Sequence, residues 1–319
     1  MKNFSENNLP IRIFIGMFSL LVLNLYCSSQ SKLIFSRSSG TLNSGETPDI
    51  FSYDLQTEET KLIYNGVVKR RGEYSASVSP DLSKIIVNTY QFGGWKLGMA
   101  NYKNGNIGPL KKLTSNSNYE YNACWSHRGE SIAYQDYNWS NNNMEVFIVD
   151  KNGENEIQLT MAEGGDRNPC WTKDDESIIY TSGRTNNYDI YIQSLDVENA
   201  SNITNHPSND FAPSTSSKHE KIAFLSDRNG FINLYTMDYK GNDIKKLTGQ
   251  IKSDKIKFEG FENSGYWAYR TSWSKDGNYI VFNLMIDSHL QLFIVKKDGT
   301  GLQQITEGKY SNITPSWVE

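Results

Sequence analysis

Residues 271–282 read Thr-Ser-Trp-Ser-Lys-Asp-Gly-Asn-Tyr-Ile-Val-Phe: a small polar pair and a tryptophan, a polar turn, then an apolar run. The phrase recurs along the chain. Ala76-Ser77-Val78-Ser79-Pro80-Asp81 leads to Ile85-Ile86-Val87, Ala123-Cys124-Trp125-Ser126 to Ile132-Ala133-Tyr134, and Pro169-Cys170-Trp171-Thr172 to Ile178-Ile179-Tyr180. Pro213-Ser214-Thr215-Ser216 leads to Ile222-Ala223-Phe224 without the aromatic residue. Each copy continues through a second polar loop to another strand, then through a Gly- or Asn-bearing turn to a short strand closing on Leu/Ile-Thr. The closing threonines are Thr114, Thr160, Thr204, Thr248 and Thr306, at steps of 46, 44, 44 and 58 residues. A period near 45 residues holding four short strands is the pattern of a propeller blade, since helical repeats of that length would show a 3.6-residue period.

The two ends complete the set. Thr314-Pro315-Ser316-Trp317 starts a sixth repeat, and its remaining strands are found at Lys32–Arg37, Asp49–Asp54 and Lys61–Ile63. The expected fold is therefore all-β, a six-bladed β-propeller over residues 32–319, closed by the C-terminal strand joining the N-terminal strands so that no blade edge is left open. Ser-Pro-Asp-Leu-Ser-Lys-Ile at 79–85, Ser-Lys-Asp-Gly-Asn-Tyr-Ile at 274–280 and Ser-Asp-Arg-Asn-Gly at 226–230, with the closing Leu-Thr, resemble the Pro-Asp type of propeller repeat. That repeat is found in TolB, in the tricorn protease and in prolyl-oligopeptidase-like enzymes. The resemblance implies the fold, which serves scaffolds and enzymes alike. TolB proper carries a further α/β domain for which this chain leaves no room, so a Tol-Pal role is not implied.

Composition agrees with strands. Among 319 residues, Tyr 19, Phe 14 and Trp 7 supply the flat side chains that suit a pleated surface. A net charge of −4 with no Lys/Arg run lacks the clustered positive field that phosphate recognition needs, so nucleic acid is excluded as a partner. The first 27 residues differ from the rest: Lys2 and Arg12 precede an uncharged apolar stretch from Ile13 to Tyr26, ending at Cys27 and a polar tether at 28–31. This reads as an export signal, too short for a spanning helix. Cys27 is the expected lipidation site, although Tyr26 and Asn24 depart from the lipoprotein pattern. An ordinary secreted protein and an uncleaved anchor are the other readings, and all three place the remainder outside the cytoplasm, in a bacterial envelope.

Catalytic motifs are missing from the sequence: there is no Gly-x-Ser-x-Gly elbow and no His-Glu-x-x-His. The four histidines His127, His206, His219 and His289 are split between opposite ends of the blades, so no metal site, no cofactor and no catalysis are expected. The Ser-x-Asp-Gly phrase is read as a tight turn, and the equivalent Trp125, Trp171, Trp273 and Trp317 as packing between blades. Six residues before the turn Ser/Thr stand Glu73, Glu120, Asp166 and Asp210, then Ala268 and Asn312. These carboxylates are the candidate lining of an acidic tunnel mouth that attracts a cation or a basic segment. Local pairing, of Asp166 with Arg184 and Asp210 with Arg228, is the competing reading. An insertion at about 249–268 in blade five carries Phe258, Phe261, Tyr266 and Trp267 and is the first candidate for a partner site. Asn138–Asn143 reads as a solvated turn. The expectation is a non-enzymatic scaffold that contacts a protein or peptide. The alternative is a carbohydrate-active propeller, whose glycan site would need Glu73, Glu120 and Trp267 to converge. Cys124 and Cys170 are expected as two free thiols, because inner strands of neighbouring blades share no hydrogen bonds and stand too far apart for a disulfide.

Overall fold

The computed structural model describes residues 32–39, 47–140, 142–249, 251, 253 and 268–318. Six four-stranded antiparallel sheets make up the molecule, with a further two-residue strand, Asn106–Ile107, in blade one. Blade one runs from its inner strand Glu73–Val78 through Lys84–Thr89 and Lys96–Lys103 to Lys111–Lys112. The inner strands that follow are Tyr119–Trp125, Asp166–Trp171, Asp210–Thr215 and Thr271–Trp273. Blade six takes its inner strand, Ser311–Trp317, from the C-terminal end and its other three, Lys32–Ser38, Asp49–Asp54 and Glu59–Tyr64, from the N-terminal side. Leu33 faces Trp317 and Ser36 faces Ile313 across the seam, so the closure read from the sequence is the closure observed.

The repeated phrase has a physical reason at each position. In the turn, the Ser or Thr hydroxyl accepts the N–H five residues on: Lys84 to Ser79 at 2.9 Å, Ser177 to Thr172 at 3.0 Å, Tyr279 to Ser274 at 2.9 Å. Asp81 and Asp276 each accept the amide two residues ahead, and Gly277 takes a positive φ of 69° that a Cβ would strain. The closing threonine accepts the N–H of a third-strand residue, as Thr160 does from Val146 and Thr248 from Leu234. That bond fastens an outer strand only two residues long.

Neighbouring blades are stitched at the inner strands. The indole N–H of Trp125 donates to Ser77 O at 3.3 Å, Trp171 to Cys124 O at 3.1 Å and Trp273 to Ser214 O at 3.3 Å, each one blade back. The expected role of the tryptophans in packing between blades is the one they have. Blade four, which lacks the aromatic, substitutes the Thr215 hydroxyl on Trp171 O. A β-bulge interrupts the inner strand in five blades. The residue inside it is left-handed: Ser75 (φ 55°), Asn122 (50°), Asn168 (53°), Ala212 (52°) and Thr314 (48°). The bulge takes backbone N–H groups out of the ladder, and side chains of the preceding blade accept three of them: Thr314 from Ser75, Asn88 from Asn122, Gln135 from Asn168.

Candidate functional site

All loops that lead into the inner strands, and all those joining second to third strands, lie on one face of the ring, here the first face. The turns carrying Ser-x-Asp-Gly lie on the second. Glu73, Glu120, Asp166 and Asp210 do open the inner strands at the first face, yet all four are 0% exposed. Each turns into the blades and is bonded there, with only Asp166 Oδ1 lacking a partner among the described residues. Arg184 holds Asp166 at 2.8 Å, and Arg228 holds both oxygens of Asp210, at 2.9 and 2.8 Å. Glu73 accepts from Val67 N–H, Thr89 and Gln91. Glu120 accepts Leu97 N–H at 2.9 Å and the Thr114 hydroxyl, with Lys96 at 3.8 Å. It thereby does for blade one what the closing threonine's oxygen does elsewhere. Burial raises all four carboxyls above their ordinary values against the opposing hydrogen bonds, and in the two Asp–Arg pairs against the arginine as well. The acidic lining read for the tunnel mouth is thus sealed inside local networks.

Strand alternation explains what occupies the mouth instead. The residue after each carboxylate points the opposite way, and those residues are Tyr74, Tyr121, Arg167, Phe211, Tyr269 and Ile313. Tyr74, Phe211, Tyr269 and Ile313 are buried in one apolar cluster drawn from four blades, with Tyr121 packed on it. Phe211 and Tyr269 meet edge to face at 5.8 Å. From this cluster an aromatic run spreads across blades one and two. Trp95 contacts Tyr74 at 5.1 Å, Tyr90 at 5.2 Å and Tyr121 at 6.3 Å, and Trp139 contacts Tyr119 at 5.1 Å and Tyr137 at 4.7 Å. Arg71 lies over Tyr90, 5.0 Å from its centre. Gly94 is required here, since a Cβ would stand 2.8 Å from the Tyr119 ring.

The run ends in solvent. Trp139 is 56% exposed, and on loops of the same face Val67, Met161 and Tyr310 are 62%, 81% and 48% exposed. Trp139 belongs to the segment read as a solvated turn, a reading that weighed its asparagines and overlooked the ring beside them. The tyrosines just after Glu73 and Glu120 were the available signal for an aromatic mouth. The blade-five insertion enters the inner strand of its blade, which places its attachment on the first face. Phe258, Phe261, Tyr266 and Trp267 lie outside the described residues, as does Cys27 with the apolar stretch before it.

No group of three or more His, Cys, Asp or Glu side chains among the described residues could hold a metal. Cys124 and Cys170 are free thiols, and burial raises both above the ordinary thiol value.

No protein-family model and no curated protein matches the sequence. Solved structures do match in fold. TolB from Acinetobacter baumannii superposes with a TM-score of 0.69 at 17% identity, covering 90% of this chain and 66% of that one. A putative TolB from Agrobacterium tumefaciens gives 0.66 at 13% identity over 91% of this chain and 99% of that one. A chain of a nidogen/laminin complex gives 0.65 at 8% identity over 90% and 98%. The Acinetobacter protein is longer, and this chain spans about two thirds of it. With six closed blades and these neighbours, the chain is a TolB-like six-bladed β-propeller.

Proposed function

We propose that this propeller is a non-enzymatic scaffold of the bacterial cell envelope, that its first face binds a protein or peptide, and that Cys27 carries a lipid tether. The observation that carries the reading is the aromatic run ending in exposed Trp139, with Val67, Met161 and Tyr310 exposed on the same face. Exposed aromatic and Met side chains on one face are the usual composition of a protein-binding surface, where rigid rings bury area at small entropic cost. The blade-five insertion with Phe258, Phe261, Tyr266 and Trp267, which lies outside the described residues, is the second contact in this proposal. A glycan site is disfavoured because Glu73 and Glu120, the carboxylates it would need, are sealed in the blades. The TolB and nidogen/laminin neighbours support the choice of a protein partner only as relatives in fold.

Site-specific photo-crosslinking in the envelope of the producing cell tests the face. A crosslinking residue at Trp139 or Met161 is expected to capture one and the same protein. Placed at Ile157 on a blade edge or at Val197 beyond the third strand of blade three, which are 61% and 51% exposed, it is expected to capture none. Equal adducts from all four positions, or none from the first face, would overturn the reading. In the same cells a palmitate analogue should label the wild type and leave Cys27→Ala unlabelled. Label persisting on that variant would remove the tether.

A further inference from the structure

The third position of the inner strand is occupied in chain order by Ser75, Asn122, Asn168, Ala212, Arg270 and Thr314. Five are short, and blade five alone sets a long cation there. The Arg270 backbone is held by Asn283, which accepts its N–H at 2.9 Å. Its side chain crosses from blade five to the far side of the ring, donating to Ser75 Oγ at 2.8 Å and to Ala123 O at 3.4 Å. None of the ion pairs among the described residues includes it. Of its five N–H donors two have partners, and Nε and one hydrogen on each terminal nitrogen have none among the described residues.

Arg270 also lines a cavity of about 180 Å³ in the centre of the ring. Its walls mix hydroxyls and an amide, among them Ser77, Asn168, Thr271 and Ser316, with the thiols of Cys124 and Cys170 and with apolar surface from two prolines and from Trp171 and Trp273. At the second-face end stands His127, in the turn after the blade-two inner strand. Among the described residues no carboxylate lines it. Burial keeps both thiols in their neutral form and lowers His127, so Arg270 is the one positive charge on the described cavity wall at neutral pH, and the carboxylate near its second-face end, Asp175, is engaged by the His127 and Arg128 backbone N–H groups at 2.7 and 2.9 Å. A guanidinium taken from water without a counter-charge is costly, and three open donors beside a polar cavity are a ready receptor for an anion. One cation matches one negative charge, and a planar fork matches a planar acceptor.

We propose that the central cavity is a carboxylate-binding site, with Arg270 as the charged receptor and the hydroxyls of the neighbouring inner strands as secondary donors. The site is independent of the first-face reading, from which the Tyr74–Phe211–Tyr269–Ile313 cluster separates it. The carboxylate comes from a small free acid or from the C-terminus of a peptide entering by the second face.

Calorimetric and thermal-shift titrations of the full chain in detergent, at constant ionic strength, decide this with three probes: acetate, the tripeptide Ala-Ala-Ala as free acid, and the same tripeptide as C-terminal amide. Saturable stabilisation by acetate or by the acid peptide is expected, with none from the amide. Arg270→Gln should weaken it on the order of tenfold or more while Arg270→Lys keeps a part. An acid peptide that binds more tightly than acetate assigns the site to chain ends, and the reverse assigns it to small acids. Equal binding of acid and amide, an undiminished response in Arg270→Gln, or a wild type that ignores every probe would each overturn the proposal. In the last case Arg270 is a strut between blades and nothing more. If Arg270→Gln does not fold, the acid–amide comparison on the wild type still decides.

Discussion

Asp136 in blade two shows how far a single residue is governed by what lies beside it. It faces Glu120 in the strand register, it is fully buried, and Asn116 donates to it at 3.2 Å. Burial first, with Glu120 and Glu156 adding to it and an Asn118 hydrogen bond and Lys96 opposing, pushes its carboxyl up to about 7. The ordinary value is 3.8, so the folded protein holds a proton that the unfolded chain has released. Stability from this residue is therefore fully present below the unfolded value and is lost as pH rises to about 7, a span worth about 2–4 kcal/mol. Asp136→Asn should melt close to wild type at pH 4 and clearly higher at pH 8. A variant with the same pH slope as wild type between those limits would show that Asp136 ionises freely in the fold. Position in the repeat says nothing of this, because the equivalents of Asp136 in blades three and four are Ser182 and Ser226. The blade pattern was legible in the sequence. The pairing of two carboxyls in one buried register needed coordinates.

At the scale of the inner strand, legibility stopped at the bulge. Alternation carried forward from Glu73 or Asp210 gives the facing of the next residue correctly. It cannot show that the one after is left-handed, since Ser, Asn, Ala and Thr do not announce positive φ as glycine does. The acidic-mouth reading failed for the complementary reason. Spacing identified equivalent positions without fixing which side of the strand faces the axis, and that choice sends carboxylates into the blades and tyrosines to the mouth. Ala212 offers the cleanest check of the bulge, because its side chain makes no hydrogen bond of its own. A left-handed Ala costs about 1–2 kcal/mol that Gly avoids, against about 0.4–1 kcal/mol of extra freedom that Gly gives the unfolded chain. Ala212 is also 2% exposed in the apolar cluster, so losing its methyl costs about 0.8 kcal/mol more, and Ala212→Gly should stay within about 1 kcal/mol of wild type. Ala212→Val, which adds two buried methyl groups to the same backbone, should cost about 2 kcal/mol or more. Chemical denaturation of the two variants measures both, and a Gly variant that loses more than Val would mean the strand is regular at this point.

The whole ring depends on a pairing between residues almost 280 positions apart in sequence, which makes it the contact with the largest loop to close. The segment Ile313–Trp317 serves three blades at once. Leu33, Ile34 and Ser36 pair with it within blade six, Thr314 Oγ1 accepts Ser75 N–H from blade one at 3.0 Å, and Trp317 N–H reaches Ser272 Oγ of blade five at 3.3 Å. Ile313 and Trp317 are 1% and 8% exposed, so removing them forfeits roughly 1.5–3 kcal/mol of apolar burial each, before any hydrogen bond is counted. Ending the chain at Asn312 would also leave Lys32–Ser38 as an open edge, ready to pair with another molecule. The truncated protein should melt about 10 °C or more below the parent, at the 2–4 °C per kcal/mol expected for a domain of this size, and should aggregate. A synthetic peptide of residues 311–319 should restore part of that loss by adding itself as the missing strand. The closure would be refuted by a truncated chain that melts with the parent. A destabilised chain indifferent to the peptide would instead show that the segment acts by packing on blades one and five and not by pairing with the first strand of the described chain.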